Sequence, residues 1–309
     1  MPTDLMGANV LPVLGTRGRL ATRADELVRA RVPFVQALVV RAVHPTSAHA
    51  GDTALVHADG AIEGFVGGTC AEASVRLHAL EVLVSGEPVL LRIQAGVPGT
   101  AVEEGVVTVA NPCLSGGTLE IFLEPRQPTP RLVVIGSTPV AQALAALGGP
   151  LGFAVETGPE LPAGAAGDTA AVVVASHGRG EEPALEAALR AGVPYVGLVA
   201  SRVRAAAVLA SLDVPDTSTV HSPAGLDIGG RTPPEIALSI LAEIVATRSS
   251  AWSPSVAAAP ASAVDPVCGM TVAVTDQVPH AEVGGSTQWF CCDPCRTAYL
   301  AEPERYAAG

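Results

Sequence analysis

From Arg131 to Arg248 apolar runs alternate with helix-length segments, and that alternation restricts the fold more than any other feature of the chain. "RLVVIGSTPVAQALAALG" reads as an apolar strand, a turn and a helix. "TAAVVVASHG" is followed by "EEPALEAALRAG", and "PYVGLVAS" by "RVRAAAVLASL". Strands apolar along their whole length are buried on both faces, and helices of this size between them are the crossovers of a parallel sheet. "TPPEIALSILAEIVATR" closes the block as a helix, with Thr232 as N-cap and Pro233 in its first turn.

The segments before this block follow another pattern. A helical stretch, "RADELVRARVP", precedes the short strand-like runs "FVQALVVRAV", "TALVHAD", "AIEGFVG", "PVLLRI", "VVTVA" and "TLEIFLEP". One helix, "CAEASVRLHALEVLV", interrupts them. After the alternating block comes "SSAWSPSVAAAPAS", rich in Ala, Ser and Pro and without periodicity, which reads as a linker. The expected organisation is therefore an α/β chain in four parts. Residues 1–129 form a mixed α+β domain, 130–248 a Rossmann-like parallel-sheet domain, 249–262 a linker and 263–309 a small module. With 309 residues the chain exceeds the roughly 250 that one core organises.

Composition removes several functions. Net charge is −12, which argues against nucleic acid as a partner. All 18 basic residues are arginine, so neither a phosphate-loop lysine nor a Schiff-base lysine exists. No apolar run reaches the roughly 18 residues of a membrane span, and "MPTDLMGANVLPVLG" lacks the basic start of a signal peptide. A cytoplasmic protein without membrane insertion is expected, in which cysteines serve as metal ligands or reactive thiols.

Three constellations carry chemistry. In "VVIGSTPVAQAL", Gly136 and Ala141 stand at the first and third small positions of a dinucleotide turn, while Thr138 stands at the second and Pro139 removes a donor. Glu156, twenty residues past Gly136, falls where a ribose-binding acid is expected. NAD(P) binding, a different phosphate-bearing ligand at Gly136, Ser137 and Thr138, and an unliganded tight turn all remain open. Two glycine-cysteine turns follow: Gly67 and Gly68 precede Cys70 at a helix start, and Cys113 precedes Gly116 and Gly117 before a strand. A helix start favours a thiolate and glycines admit a ligand, although both turns also suit small buried residues. His177, at a strand end, lies where such sheets bind ligands. No Ser-His-Asp spacing or carboxylate pair is legible, so no catalytic machinery is assigned.

Read together, these segments resemble the XdhC/CoxI family of molybdenum-hydroxylase maturation proteins, its CoxF-like members in particular. The resemblance is carried by "FVQALVVRAVHPTSAHAGDTALVHADGAIEGFVGGTCAEASV", "NPCLSGGTLEIFLEP", "LVVIGSTPVAQALA", "PYVGLVASRVRAAAVL" and "SPAGLDIGGRTPPEIALSILAEIVA". It implies a chaperone that binds molybdenum cofactor, as molybdopterin or its cytosine dinucleotide form. The cofactor would be sulfurated with its help and inserted into a carbon monoxide or xanthine dehydrogenase. The implied partners are the apo-hydroxylase large subunit and a cysteine desulfurase, with a homodimer left open. Cys70 with Gly67 and Gly68, Cys113 with Gly116 and Gly117, Gly136 to Thr138, and His177 fall on the family's cofactor turns and strand ends. The chain departs from the family pattern at "SAHAG", at Thr138 and at Gly178, which weakens an NAD-linked oxidoreductase role more than a carrier role.

Three of the six cysteines crowd into "WFCCDPC". With "DPVCGM" before it and "AYLAEPERY" after it, the tail resembles a YHS-type metal-binding module. Cys268 is separated from Cys291 by 22 residues, and Cys291 from Cys295 by three. That spacing suits three thiolates around zinc or copper, with His280 as a fourth ligand and Cys292 pointing elsewhere. A redox thiol pair, and a metal or redox sensor acting through the tail, are the alternatives. The aromatic and aliphatic anchors of so small a module are Trp289, Phe290, Tyr299, Leu300 and Tyr306.

Overall fold

The computed structural model describes residues 16–96, 103–111, 117–162, 167–251 and 261–306. They form two compact units, one of residues 1–127 together with 256–309 and the other of residues 128–255. In the first unit α1 (Thr16–Arg29) leads into β1 (Phe34–Val43), β2 (Thr53–His57) and β3 (Ile62–Gly64), then α2 (Thr69–Ser85), β4 (Val89–Ala95), β5 (Val106–Asn111) and β6 (Thr118–Arg126). The six strands make one sheet in the order β3-β2-β1-β6-β4-β5, antiparallel except for the β4–β5 pair. The period of two sorts the side chains. Val35, Ala37 and Val39 point to the α2 face with Ile121, Leu123 and Leu91, whereas Phe34 and Leu55 pack under Leu27 of α1.

The second unit is a three-layer sandwich. Its strands are β7 (Arg131–Ile135), β8 (Ala154–Gly158), β9 (Thr169–Val174), β10 (Tyr195–Leu198) and β11 (Val220–His221). Its helices are α3 (Pro139–Gly148), α4 (Glu181–Arg190), α5 (Arg202–Ser211) and α6 (Pro233–Ala251). All strand pairs are parallel, in the order β11-β10-β9-β7-β8. Leu132 and Val134 face α3 and α6, and Val133 and Ile135 face α4 and α5, so the apolar residues of β7 meet a helix layer on each side. That is why "TAAVVV" is apolar from Ala170 on: β9 is buried on both sides. At the start of α6, Glu235 accepts hydrogen bonds from the Arg231 and Thr232 amides, the carboxylate half of a capping box. The helix runs on to Ala251, past the expected linker start at Ser249, and residues 252–260 of that linker lie outside the described residues.

The tail consists of two hairpins and two short helices: β12 (Ser262–Val264) with β13 (Thr271–Ala273), β14 (His280–Val283) with β15 (Ser286–Trp289), then α7 (Asp293–Ala301) and α8 (Pro303–Tyr306). Phe290 is its buried centre, with the Tyr299 ring 5.4 Å away, while Leu300, expected as an anchor, faces solvent. The tail lies against α2. Val75, Ala79, Val82 and Leu83 of that helix enter the sheet core, while Ala73 meets Met270 and Val272, and Leu77 and Leu80 meet Ala273. A helix apolar all round needs cover on both sides, and the tail supplies the second side.

Burying a leucine contributes roughly 1.5–3 kcal/mol. Leu77→Ala and Leu80→Ala are therefore expected each to destabilise the first unit by about 2–5 kcal/mol in denaturant titration. A chain ending at Ser255 is expected to bind more of the dye ANS than the full chain. A truncated chain as dye-silent as the parent would contradict the packing.

Candidate functional site

In the first unit Gly68 is the N-cap residue of α2, in extended conformation and with no side chain to cap the first turn. Cys70 occupies that turn. A cleft of about 450 Å³ opens there, lined by Gly68, Thr69 and Cys70, by the His44–Ser47 segment, and by Gly117. Gly117 is required: a Cβ at that position would lie 2.1 Å from the Pro45 carbonyl oxygen. Gly67 sits behind the cleft, against Ala71 and Leu119. Cys113 and Gly116 lie outside the described residues. His44, Thr46 and Ser47 were not legible as site residues, because only the return of β1 toward β6 brings them to the helix end.

Cys70 also faces the tail. Its sulfur, with those of Cys291 and Cys292, forms one group of atoms all within 4.8 Å of one another. Cys268, Cys291 and Cys295 form a second such group with Asp265. The Cys291 sulfur is 3.6 Å from that of Cys268, 3.7 Å from Cys295 and 3.5 Å from Cys292. Cys292 is the N-cap residue of α7, without a side-chain cap bond, and Cys295 lies in the helix's first turn. Cys291, hydrogen-bonded to Cys268 and then to Cys70, and buried, is pushed far up as an acid. The bond from Cys291, helped by the Met270 amide and opposed by burial, holds Cys268 below its ordinary value. Burial above all pushes Cys295 up.

Two expectations about the tail need correction. His280 does not join the thiols: its ring packs on Trp289 at 4.7 Å and its Nδ1 lies 3.0 Å from the Val278 carbonyl. Buried Asp265, not His280, stands with the three thiols; it accepts from the Val267 and Cys291 amides at 2.8 Å each and so holds the two cysteine turns together. Cys292 does not point away, because the cap conformation turns it into the buried cluster. Asp265 opens the "DPVC" stretch, and its power to accept from the amide two residues on was the available signal.

The second unit carries its own cleft, of about 560 Å³, at the carboxyl ends of β7, β8 and β9. The order reverses between β7 and β9, which makes this the switch point where parallel sheets take ligands. Gly136, Ser137, Thr138 and His177 all line it. Gly136 has φ +119°, and a Cβ there would lie 2.4 Å from the Ala175 carbonyl oxygen. The Thr138 hydroxyl accepts from the Ala141 amide at 3.2 Å, so this side chain caps α3 where a dinucleotide turn would present bare backbone. Glu156 does not line the cleft: it pairs with Val133 in mid-strand and forms an ion pair with Arg131 at 3.5 Å. Thr157 and Gly158 stand at the rim instead. Arg179 was missed and supplies a cation. Its loop is held by Glu181, which is 1% exposed, pairs with Arg204 and accepts from the Gly178 amide at 2.8 Å. His177 holds φ +53° in that loop.

A third group fixes the Gly225–Gly229 loop. Glu243 of α6 accepts from the Tyr195 hydroxyl at 2.6 Å and the Gly225 amide at 2.8 Å, with His221 Nδ1 at 3.2 Å. Burial opposes ionisation of Glu243, but these three partners outweigh it and hold the carboxyl below its ordinary value. Burial, then the bond to Glu243, pushes Tyr195 far up.

Comparison with known proteins now places the chain. Residues 27–94 match the XdhC and CoxI family and residues 132–244 match the XdhC Rossmann domain, so the chain belongs to the XdhC and CoxI family. It is 30% identical over 260 residues to the uncharacterized protein YqeB of Escherichia coli (strain K12), covering 74% of this chain and 46% of that protein. It is 29% identical over 156 residues to a probable xanthine dehydrogenase subunit of Bacillus subtilis (strain 168), covering 42% of this chain and 47% of that protein. The chain thus spans less than half the length of these curated relatives. A solved structure of a xanthine dehydrogenase from Bacillus halodurans matches 76% of this chain and 97% of its own at 17% identity, with a TM-score of 0.37. Among the described residues no helix is long and apolar enough to cross a membrane.

The lowered Glu243 carboxyl sets a pH dependence. Its contribution is present above the ordinary value of 4.5 and is lost as pH falls through the lowered folded value. Glu243→Gln is expected to cost about 1 kcal/mol at neutral pH, a modest figure because the group is partly solvated. The gap in Tm between parent and variant should close as the pH drops below 4.5. A gap unchanged across that range would contradict the assignment.

Proposed function

We propose that this chain is a maturation factor for a molybdenum hydroxylase of the xanthine or carbon monoxide dehydrogenase type. In this reading it binds molybdenum cofactor, as molybdopterin or its cytosine dinucleotide form, and assists its sulfuration and insertion. The observation that carries it is the placement of Cys70: a thiol in the first turn of α2, at the wall of a cleft that Thr46, Ser47 and Thr69 also line. The donor set suits a ligand that combines a phosphate with a sulfur-rich metal centre. Amides and hydroxyls would hold the anionic end, and the cofactor itself would supply the molybdenum and its sulfur ligands. Gly68 adds bare backbone, since a Cβ there would meet nothing within 4 Å. Cys113 and Gly116 belong to the proposed site by sequence.

The cleft at Gly136, Ser137, Thr138 and His177 is proposed as a phosphate subsite for the same class of ligand, with Arg179 as its cation. NAD(P) chemistry is disfavoured there, because Thr138 caps the helix and Glu156 is engaged with Arg131. The name of the Bacillus subtilis relative supports an enzyme of the xanthine dehydrogenase type as partner. In this reading the contact is with the large subunit of the apo-hydroxylase, and a cysteine desulfurase is the sulfur source.

In cells lacking the chain, the target hydroxylase is expected to be made in normal amount but to carry little active cofactor. Cys70→Ser is expected to lower pterin retained by the purified protein several-fold while moving Tm by only a few degrees, as for a loss of about 1 kcal/mol. A fully loaded hydroxylase in the deletion strain would overturn the reading, as would turnover of NAD(P)H by the purified chain.

A further inference from the structure

Cys291 belongs to two ligand sets at once. Asp265, Cys268, Cys291 and Cys295 form a closed four-ligand set within the tail, and Cys70, Cys291 and Cys292 form a three-thiol set that reaches α2. Zinc–sulfur bonds near 2.3 Å require tetrahedral sulfur–sulfur edges of about 3.8 Å. The distances of 3.6 and 3.7 Å from Cys291 to Cys268 and Cys295 already approach that edge. We propose that these five cysteines and Asp265 form a two-ion thiolate cluster for thiophilic cations, zinc or copper(I), in which the Cys291 sulfur bridges both ions and Cys70 ties the tail to α2.

Three features support two ions rather than one. Cys291 and Cys292 are both buried with their sulfurs 3.5 Å apart, so the two sets meet inside the fold and away from water. Asp265 orients the first set through two backbone amides, so that set is braced before any ion binds. A thiolate has lone pairs enough to serve a second ion, and the second set offers it three soft ligands. Each ion binds with release of the thiol protons to solvent. The tail's small core supplies a reason for the arrangement, because modules under fifty residues need a cross-link or metal to hold them. One consequence follows for the cleft beside α2: while Cys70 ligates an ion, its sulfur is withheld from that cleft.

The test uses the full chain, reduced, stripped with chelator and handled without oxygen, titrated with zinc alone and separately with copper(I) alone. Two ions per chain are expected for the parent and one for Cys70→Ala, whose fold is checked by circular dichroism. Bound metal is also expected to slow alkylation of Cys70 by iodoacetamide at least tenfold, read by peptide mass spectrometry on the parent. That second readout decides the matter if the variant does not fold. A single ion per chain, or alkylation of Cys70 at the same rate with and without metal, would overturn the proposal. Neither readout involves pterin, so the cluster and the cofactor reading fail separately.

Discussion

The packing of α2 on both of its sides is the constraint on which the first unit depends. One side closes the six-stranded sheet through Val75, Ala79, Val82 and Leu83; the other receives the tail through Ala73, Leu77 and Leu80. Because Cys70 stands in the first turn of that helix, the interaction that hides the leucines also brings the tail's thiols to Cys70. The hydrophobic contact and the thiol cluster are thus two ends of one interface. Apolar burial supplies the cohesion, and the sulfur atoms supply its chemistry.

The second unit solves a different problem. Parallel strands place their carboxyl ends at one edge, and reversal of strand order between β7 and β9 opens that edge into a cleft. The residues there are organised by neighbours that do not enter it. Glu181 gathers the Gly178 amide and Arg204 beneath His177 and Arg179, and Glu243 gathers Tyr195, His221 and Gly225. Each carboxylate accepts hydrogen bonds from its neighbours, so the loops are held without a cost in unpaired polar groups. Thr138 is held in the same way, its hydroxyl accepting from the Ala141 amide at the start of α3.

Much of this was legible in the sequence. "FVQALVVRAV" is β1 residue for residue, and the alternation after Arg131 specified both the parallel sheet and the cleft residues Gly136 to Thr138 and His177. What escaped notice was short or distant. β8 mixes Glu156 and Thr157 with apolar residues, and β11 has two residues, so neither shows a period. The tail's hairpins of three and four residues are equally silent, although Gly284 and Gly285, both at positive φ, mark the second turn. Spacing placed Cys268, Cys291 and Cys295 together but pointed to His280 beside them and passed over Asp265, because a strand edge and a buried turn look alike in sequence. Nothing local joins Cys70 to Cys291. The one hint was that "CAEASVRLHALEVLV" is apolar on more than one face and so needed two neighbours.

Both the shared interface and the thiol cluster require the tail's cysteines to lie against Cys70. Disulfide trapping tests this directly: the folded, metal-free chain is oxidised briefly with diamide, then cut at a protease site inserted within residues 252–260. The structure predicts that the tail stays covalently attached to the rest of the chain, and that peptide mapping finds Cys70 linked to Cys291 or Cys292. Release of the tail after oxidation, with its cysteines joined only to one another, would contradict it.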